Sequence, residues 1–291
     1  MRRTLPALIA LAVVAGAALT GCSTGNTLAT PASCTVKSGS GSDSIRASGD
    51  FGKDPEAKVP SPLNVTKAQS STLIKGDGKV VGTGGVARLV LTAYDGATGQ
   101  AAGQPQEAYS PVSKNALGNA DIADAIACAT VGSRIAVVVP PQQGATGSLV
   151  AVVDIKQALP ARATGRAVPA TPGFPTVVLA PNGQPGIVLG SHSEPKTVKT
   201  AILRQGDGAV AKKSDTLIVQ TQTVTWADPR TATGTWEDGD ATGQTLSDGT
   251  ALSKALIGKK VGSQVIVLQP AGDSGAASAT VVDILGRIAA Q

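Results

Sequence analysis

Few side chains in this chain are equipped for chemistry, and their spacing narrows the choice further. His192 is the single histidine, so a histidine-based triad has one candidate and a metal site has too few nitrogens. Its neighbours Ser191, Ser193 and Glu194 read as a loop, which makes His192 a surface residue. The glycine-rich stretches VGTGG at 81–85 and GQPG at 183–186 lack a following Lys-Ser/Thr or a helical pattern. They are turns rather than phosphate cradles. Asp154 and Asp283 recur at one position of a repeated strand motif, which points to a structural hydrogen bond more than to a paired-carboxylate site. No metal and no cofactor is expected.

The three cysteines have the most telling surroundings. Arg2-Arg3 form a positive start, and Leu5 to Leu19 is an apolar run broken by Pro6 and Gly16, too short for a comfortable membrane span. It ends in Leu19-Thr20-Gly21-Cys22, similar to the lipobox cut by the lipoprotein signal peptidase. A thiol is needed there, because the thioether to diacylglycerol forms before cleavage, and two acyl chains suffice for stable anchoring. The competing reading is an ordinary secretory signal with an incidental cysteine. Residues 1–21 are thus read as a signal peptide and 22–58 as a lipidated tether and arm, with an edge strand through Ser44 to Ala47.

With Cys22 lipidated, Cys34 and Cys128 remain as an even pair in an oxidising compartment. A disulfide between them closes a loop of about 95 residues, which chain entropy values at about 4–5 kcal/mol. Two unpaired buried thiols are the alternative.

The elements that position these residues are written twice. VGSRIAVVVPP at 131–141 returns as VGSQVIVLQPA at 261–271, and GDG at 76–78 returns at 206–208, both at an offset of 130. VVDI at 152–155 returns at 281–284, an offset of 129. One spacing held by three landmarks indicates a duplicated domain, since stacked short repeats recur every 20–50 residues. The units are read as 59–157 and 176–291, joined by a Pro/Gly-rich linker at 158–175.

Within each unit the pattern is mostly strand: Val86 to Thr92, Ile135 to Val139 and Leu149 to Ile155 in the first, Thr216 to Gln222, Val265 to Leu268 and Ala279 to Leu285 in the second. One short helix falls between them. Asn119 or Asp121 caps the first, with Ile122, Ile126 and Ala129 on one face. Asp248 precedes the second, with Leu252 and Leu256 inward and Gly258 at its end. Antiparallel strands around one helix give an α+β class.

Apolar residues make up 42% of the chain but aromatic ones only 2%, so the cores are aliphatic. The formal charge of +5 falls to about +3 once Arg2 and Arg3 leave, and the basic residues are scattered. Nucleic-acid binding has no support in that distribution.

Taken together, GDG at 206–208, KKSDTLIVQ at 212–220, ALIGKKVGSQVIVLQP at 255–270 and TVVDIL at 280–285 resemble the FKBP-type peptidyl-prolyl isomerase family over about 205–288. The first unit matches it more weakly, through VGSRIAVVVPP and VVDI. The resemblance implies two tandem domains, each an antiparallel half-barrel sheet wrapped on a short helix, and export fits an actinobacterial-style lipoprotein of that family.

The family's groove is a cup of aromatic side chains that holds a proline ring in a dry place and favours the twisted amide, whose uncatalysed barrier is about 18–20 kcal/mol. In this chain its positions fall on Thr221, Ala232, Thr233, Leu252, Ser274 and Thr280, with Asp248 and Gly249 at the helix entrance. The first unit has Leu91 and Ile122 at two of them. Trp226 and Trp236 lie in the insertion after the first strand of the second unit, beside the expected groove mouth. They are either a peptide platform or local packing.

The resemblance and the substitutions lead to an exported lipoprotein that engages unfolded or proline-containing polypeptides, or an envelope protein, with isomerase activity weak or lost. The alternative is a non-catalytic chaperone or scaffolding lipoprotein. Cys22→Ala is expected to release the protein from the membrane fraction; a variant that still pellets after a high-salt wash would refute lipidation at that site.

Overall fold

The computed structural model describes residues 32–237, 239–272 and 275–290. The segment read as a signal peptide (1–21), Cys22, the first part of the expected tether and Ser274 lie outside the described residues.

Residues 32–58 carry a single helical turn, α1 (Ser40–Asp43), and two short strands, β1 (Arg46–Ser48) and β2 (Glu56–Lys58). The strand expected at Ser44 to Ala47 is present as β1, but it does not extend a main sheet. It pairs with β2 alone, because its neighbours are held across the back of the sheet that follows. That sheet holds β3 (Gln69–Ile74), β4 (Val86–Asp95), β5 (Gln106–Pro111), β6 (Arg134–Val139) and β7 (Leu149–Leu159) in the order β3-β6-β7-β4-β5, all antiparallel. Two helices, α2 (Lys114–Leu117) and α3 (Ala120–Cys128), stand where one was expected. Asn119 rather than Asp121 caps α3, its side chain accepting from the amides of Asp121 and Ile122 at 2.8 and 3.1 Å.

The linker is not patternless either. It contributes β8 (Arg166–Ala167), which pairs with β11, and is followed by a separate hairpin of β9 (Thr176–Leu179) and β10 (Pro185–Val188). A second large sheet is built from β11 (Lys199–Gln205), β12 (Thr216–Thr225), β13 (Ala232–Gly234), β14 (Thr242–Thr245), β15 (Gln264–Gln269) and β16 (Ser278–Ile288), with α4 (Ala251–Leu256) against it. Its order is β13-β12-β16-β15-β11-β8 with β14 also on β12; the central β11-β15-β16-β12 repeats β3-β6-β7-β4 of the first sheet, and β8 has no counterpart there. Thr250 caps α4 by accepting from the Ser253 amide at 3.1 Å, while Asp248 pairs with exposed Lys213 instead. The described residues thus form four sheets where two were expected.

The repeated sequence tokens have a physical reason. The Gly76 amide donates to Ser133 Oγ and the Gly206 amide to Ser263 Oγ, each at 3.0 Å. A Cβ on either glycine would meet the carbonyl oxygen of Val131 or Val261 at 2.3 Å. The GDG turn and the VGS turn are therefore one interlocked unit, and neither tolerates a side chain at the contact.

Strand alternation sends one face of each sheet to its helix. In the first, Leu89, Val137, Val153 and Ile155 pack on Ile122 and Ile126; in the second, Leu217, Val219, Val265 and Ile284 pack on Leu256. Burying each such side chain contributes about 1.5–3 kcal/mol. The opposite faces are covered as well. Ile45 and Val65 lie on Tyr94, Ala136, Val138 and Val152 behind the first sheet, and Ile187 and Leu189 lie on Val224, Ile266 and Val281 behind the second. Val86 and Leu159 from the first half meet Ile218 and Leu285 from the second in a further apolar cluster.

Polar clamps hold the covering segments. Behind the first sheet, Arg134 and Asp154 are almost fully buried, and the guanidinium donates to both carboxylate oxygens at 2.6 and 2.8 Å. Its other donors reach the carbonyls of Ser48, Gly49 and Asp50 at 3.0–3.1 Å, and the Gly52 amide donates to Asp154 at 2.6 Å. At the matching place behind the second sheet Gln264 replaces the arginine. It donates to Asp283 at 2.7 Å, and the Ala163 amide donates to the other oxygen at 3.0 Å. The arm is also held at its start: Cys34 and Cys128 form a disulfide with Cα atoms 5.5 Å apart, and Asp124 on α3 accepts from the amides of Thr35 and Val36.

Burial pushes the Asp283 carboxyl up to about 6, against hydrogen bonds from Ala163 and Gln264 and the more distant charges of Arg204 and Arg162. A raised carboxyl favours the folded state when protonated, so its stabilisation is complete below about pH 4 and is lost as pH rises through 6. Asp283→Asn is therefore expected to be more stable than the parent at pH 7, on the order of 2–3 kcal/mol, and to match it near pH 4. Denaturant unfolding at both pH values tests this, and a difference that does not change with pH rules it out.

Candidate functional site

Cross-strand partners in an antiparallel sheet point to one face, so the register places each groove position. Thr221 pairs with Val282, and Thr223 pairs with both Thr280 and Thr233. Val282 faces α4, so Thr221, Thr223, Thr233 and Thr280 share that face beyond the end of the helix. Leu252 on α4 is half-buried against the same core. The structure therefore brings Thr221, Thr233, Leu252 and Thr280 together on the helix side of the second sheet.

Three of these four positions carry hydroxyls, and Thr223 adds another. The Thr223 and Thr280 hydroxyls are 2.9 Å apart, with Thr280 5% exposed. Behind them, Thr235 Oγ1 accepts from the Thr221 amide at 2.9 Å and donates to the Gln220 side chain. Thr223 was not anticipated, although its spacing of two from Thr221 on a strand marks it as a neighbour on the same face.

Ala232 and Trp226 lie elsewhere. Ala232 pairs with Val224 and joins the apolar cluster behind the sheet, as does Trp226. Trp226 therefore does not stand beside the groove mouth. Its even spacing from Val224 continues the alternation of β12 onto the opposite face. There its backbone amide donates to the Ala277 carbonyl at 3.0 Å and its indole Nε1 to the His192 carbonyl at 2.8 Å. Trp236 is buried, and its Nε1 has no hydrogen-bond partner among the described residues.

Four further rings lie away from this face. Tyr94 lies behind the first sheet with its hydroxyl donating to the Pro55 carbonyl at 2.9 Å, and Phe174 packs behind the second sheet. Tyr109 sits at the junction of the halves under the Arg88 guanidinium, and Phe51 is exposed on the arm.

The same place in the first half is aliphatic. Leu91 stands at the position of Thr221, and Ala93 and Ala151 pair at the positions of Thr223 and Thr280. Leu91, Leu117 and Leu149 are half-buried against the core there, with Ile122 at the position of Leu252. The two halves thus present different surfaces on one scaffold: hydroxyl-bearing in the second, hydrocarbon in the first.

Asp154 and Asp283 serve the covering segments and lie on the faces away from the helices. Among the described residues no three His, Cys, Asp or Glu side chains converge as a metal site would require, and no helix is long and apolar enough to cross a membrane.

No family model and no curated protein matches the chain. Among solved structures it is similar to the three FKBP domains of wheat FKBP73, at 11% identity over 76% of this chain and 94% of that one, TM-score 0.30. FKBP12 from Mycobacterium tuberculosis is 23% identical over 38% of this chain and 92% of that one, TM-score 0.24. A multi-domain immunophilin from Arabidopsis thaliana is 16% identical, covering 41% of this chain and 51% of that one, TM-score 0.26.

Proposed function

We propose that this chain is an exported, lipid-anchored protein of two tandem FKBP-like domains that engages polypeptides outside the membrane, with prolyl isomerase activity weak or lost. Export and the lipid on Cys22 rest on Leu19-Thr20-Gly21-Cys22 behind its apolar run. The tandem reading rests on the repeated tokens and the repeated strand order.

One observation carries the loss of activity: Thr221, Thr223 and Thr280 supply hydroxyls where catalysis would need a dry wall. Isomerisation is accelerated only by interactions stronger with the twisted amide than with the planar one. A hydroxyl that is already hydrogen-bonded to another gives no such preference, and it leaves polar atoms against the proline ring. An aromatic ring buries about 150–250 Å², and each 1.4 kcal/mol of lost transition-state binding is about tenfold in rate. Leu252 retains only part of such a floor. Binding without catalysis asks less, and the leucines of the first half offer an apolar surface suited to unfolded or proline-containing segments.

An NMR exchange assay on a short Xaa-Pro peptide is expected to show turnover near background for the full chain. Peptide binding is expected to weaken on Leu91→Asp more than on Thr221→Asp. Robust turnover that disappears on Leu252→Asp would overturn this reading and make the second half a working isomerase.

A further inference from the structure

A second recess sits behind each sheet, between the covering segment and the loop that leads into the sheet's first strand. In the first half it has a volume of about 450 Å³ and is bounded by Ser40 and Gly41 of the arm and by residues 63–66 and Gln69. In the second half it has a volume of about 410 Å³, with Gly173 of the linker on one side and residues 193–196 and Lys199 on the other. Residues 63–66 and 69 correspond to 193–196 and 199 at the repeat's offset of 130, so the cleft was duplicated with the fold.

Its chemistry has diverged between the copies. Gln69 in the first half uses its side-chain oxygen to accept the backbone amides of Gly41 and Ser42 at 2.9 and 3.1 Å. A stretch of polypeptide already lies against it there, so closely that a Cβ on Gly39 would meet the Gln69 side chain at 2.5 Å. In the second half that acceptor is replaced by Lys199, a donor, and Thr66 is replaced by Lys196. Trp226 and Leu268 add an apolar wall, and His192 lines the rim. The indole is fixed from both ends, its backbone by Ala277 and its Nε1 by the His192 carbonyl. With that donor engaged, the ring has only hydrocarbon contact to offer.

We infer that the cleft of the second half, walled by Trp226 and Leu268 and rimmed by Lys196 and Lys199, binds an acidic polypeptide segment that carries an apolar side chain. This rests on the reading that the chain engages polypeptides, and it adds to the apolar surface of the first half a second contact on the side of the second sheet away from α4. The first half supplies the precedent of a peptide lying on this face. The exchange of Gln69 for Lys199 selects a carboxylate or carbonyl over an amide. Glu194, the one carboxylate on the rim, is outnumbered by the two lysines and tells against the most densely anionic ligands.

The test is a titration of the full chain, followed by indole fluorescence and by anisotropy of labelled probes. The probes are a short peptide alternating aspartate with leucine, its lysine–leucine counterpart, and phosphatidylglycerol vesicles. The acidic peptide is expected to bind, to weaken with added salt, and to lose about tenfold or more in affinity on joint Lys196→Glu and Lys199→Glu replacement. Both lysines are exposed, so the unfolding midpoint of that variant should not move. Trp226→Phe should abolish the fluorescence response.

Equal binding of the lysine peptide, binding of vesicles alone, or indifference to the charge reversal would each overturn the inference. Peptide binding that ignores Lys196 and Lys199 but falls on Leu91→Asp sinks this site while leaving the polypeptide-binding reading intact. Binding of no peptide at all sinks both.

Discussion

The buried guanidinium of Arg134 is the fixed point of the first half. An arginine has five N–H donors, and here two meet Asp154 while the others meet three consecutive carbonyls of the arm. A segment with little hydrophobic pattern of its own is thereby made part of the core, because its backbone satisfies a charge that has left water. Removing one partner of such a pair typically costs about 3–5 kcal/mol, since the other is left buried and uncompensated. The carboxylate of Asp154 raises the affinity of the Arg134 guanidinium for its proton further above the usual range, against the opposing effect of burial. The second half repeats the geometry with weaker parts. Gln264 and a single linker amide hold Asp283, so the same architecture rests there on one ionisable group without a partner of opposite charge in hydrogen-bond contact.

These clamps explain why the molecule differs from a sheet wrapped on one helix. Each sheet is sandwiched, with a helix on one face and the chain preceding it on the other. Half of the six aromatic residues, Tyr94, Phe174 and Trp226, pack on the rear faces beneath or within the covering chain. The helix-side face is left with threonines in one half and leucines in the other. A scaffold stabilised from behind can lose the chemistry in front without losing its fold.

Much of this was legible in the sequence, and the reason is periodicity. The strands β4, β6 and β7 and β12, β15 and β16 read as apolar, β-branched runs of strand length whose tokens recur at fixed spacing, and the glycines of the GDG turns leave no room for a side chain. Thr221, Leu252 and Thr280 come from the resemblance to the FKBP-type family, and the register puts them on one side of the sheet. Of the arm, β1 and the disulfide were legible; the rest of it and the linker were not, because what fixes them is main-chain hydrogen bonding to Arg134, Asp154 and Asp283, which leaves no side-chain pattern. For Trp226 the sequence leaves a peptide platform and local packing open; its even spacing from Val224 puts it in the apolar cluster behind the second sheet, which is the packing outcome.

The disulfide changes the connectivity of the first half as well as its stability. Cys34 and Cys128 enclose the arm and most of the first sheet within one covalent ring. Inside that ring lies the exposed turn around Phe51, the sort of site where proteases cut. A single cleavage there would open the ring without dividing the molecule, because the two ends stay joined through sulfur to α3. Whatever the N-terminal segment is attached to would remain attached to both halves after such a cut. A protein held to a surface through that segment would therefore stay attached after one cut in this turn.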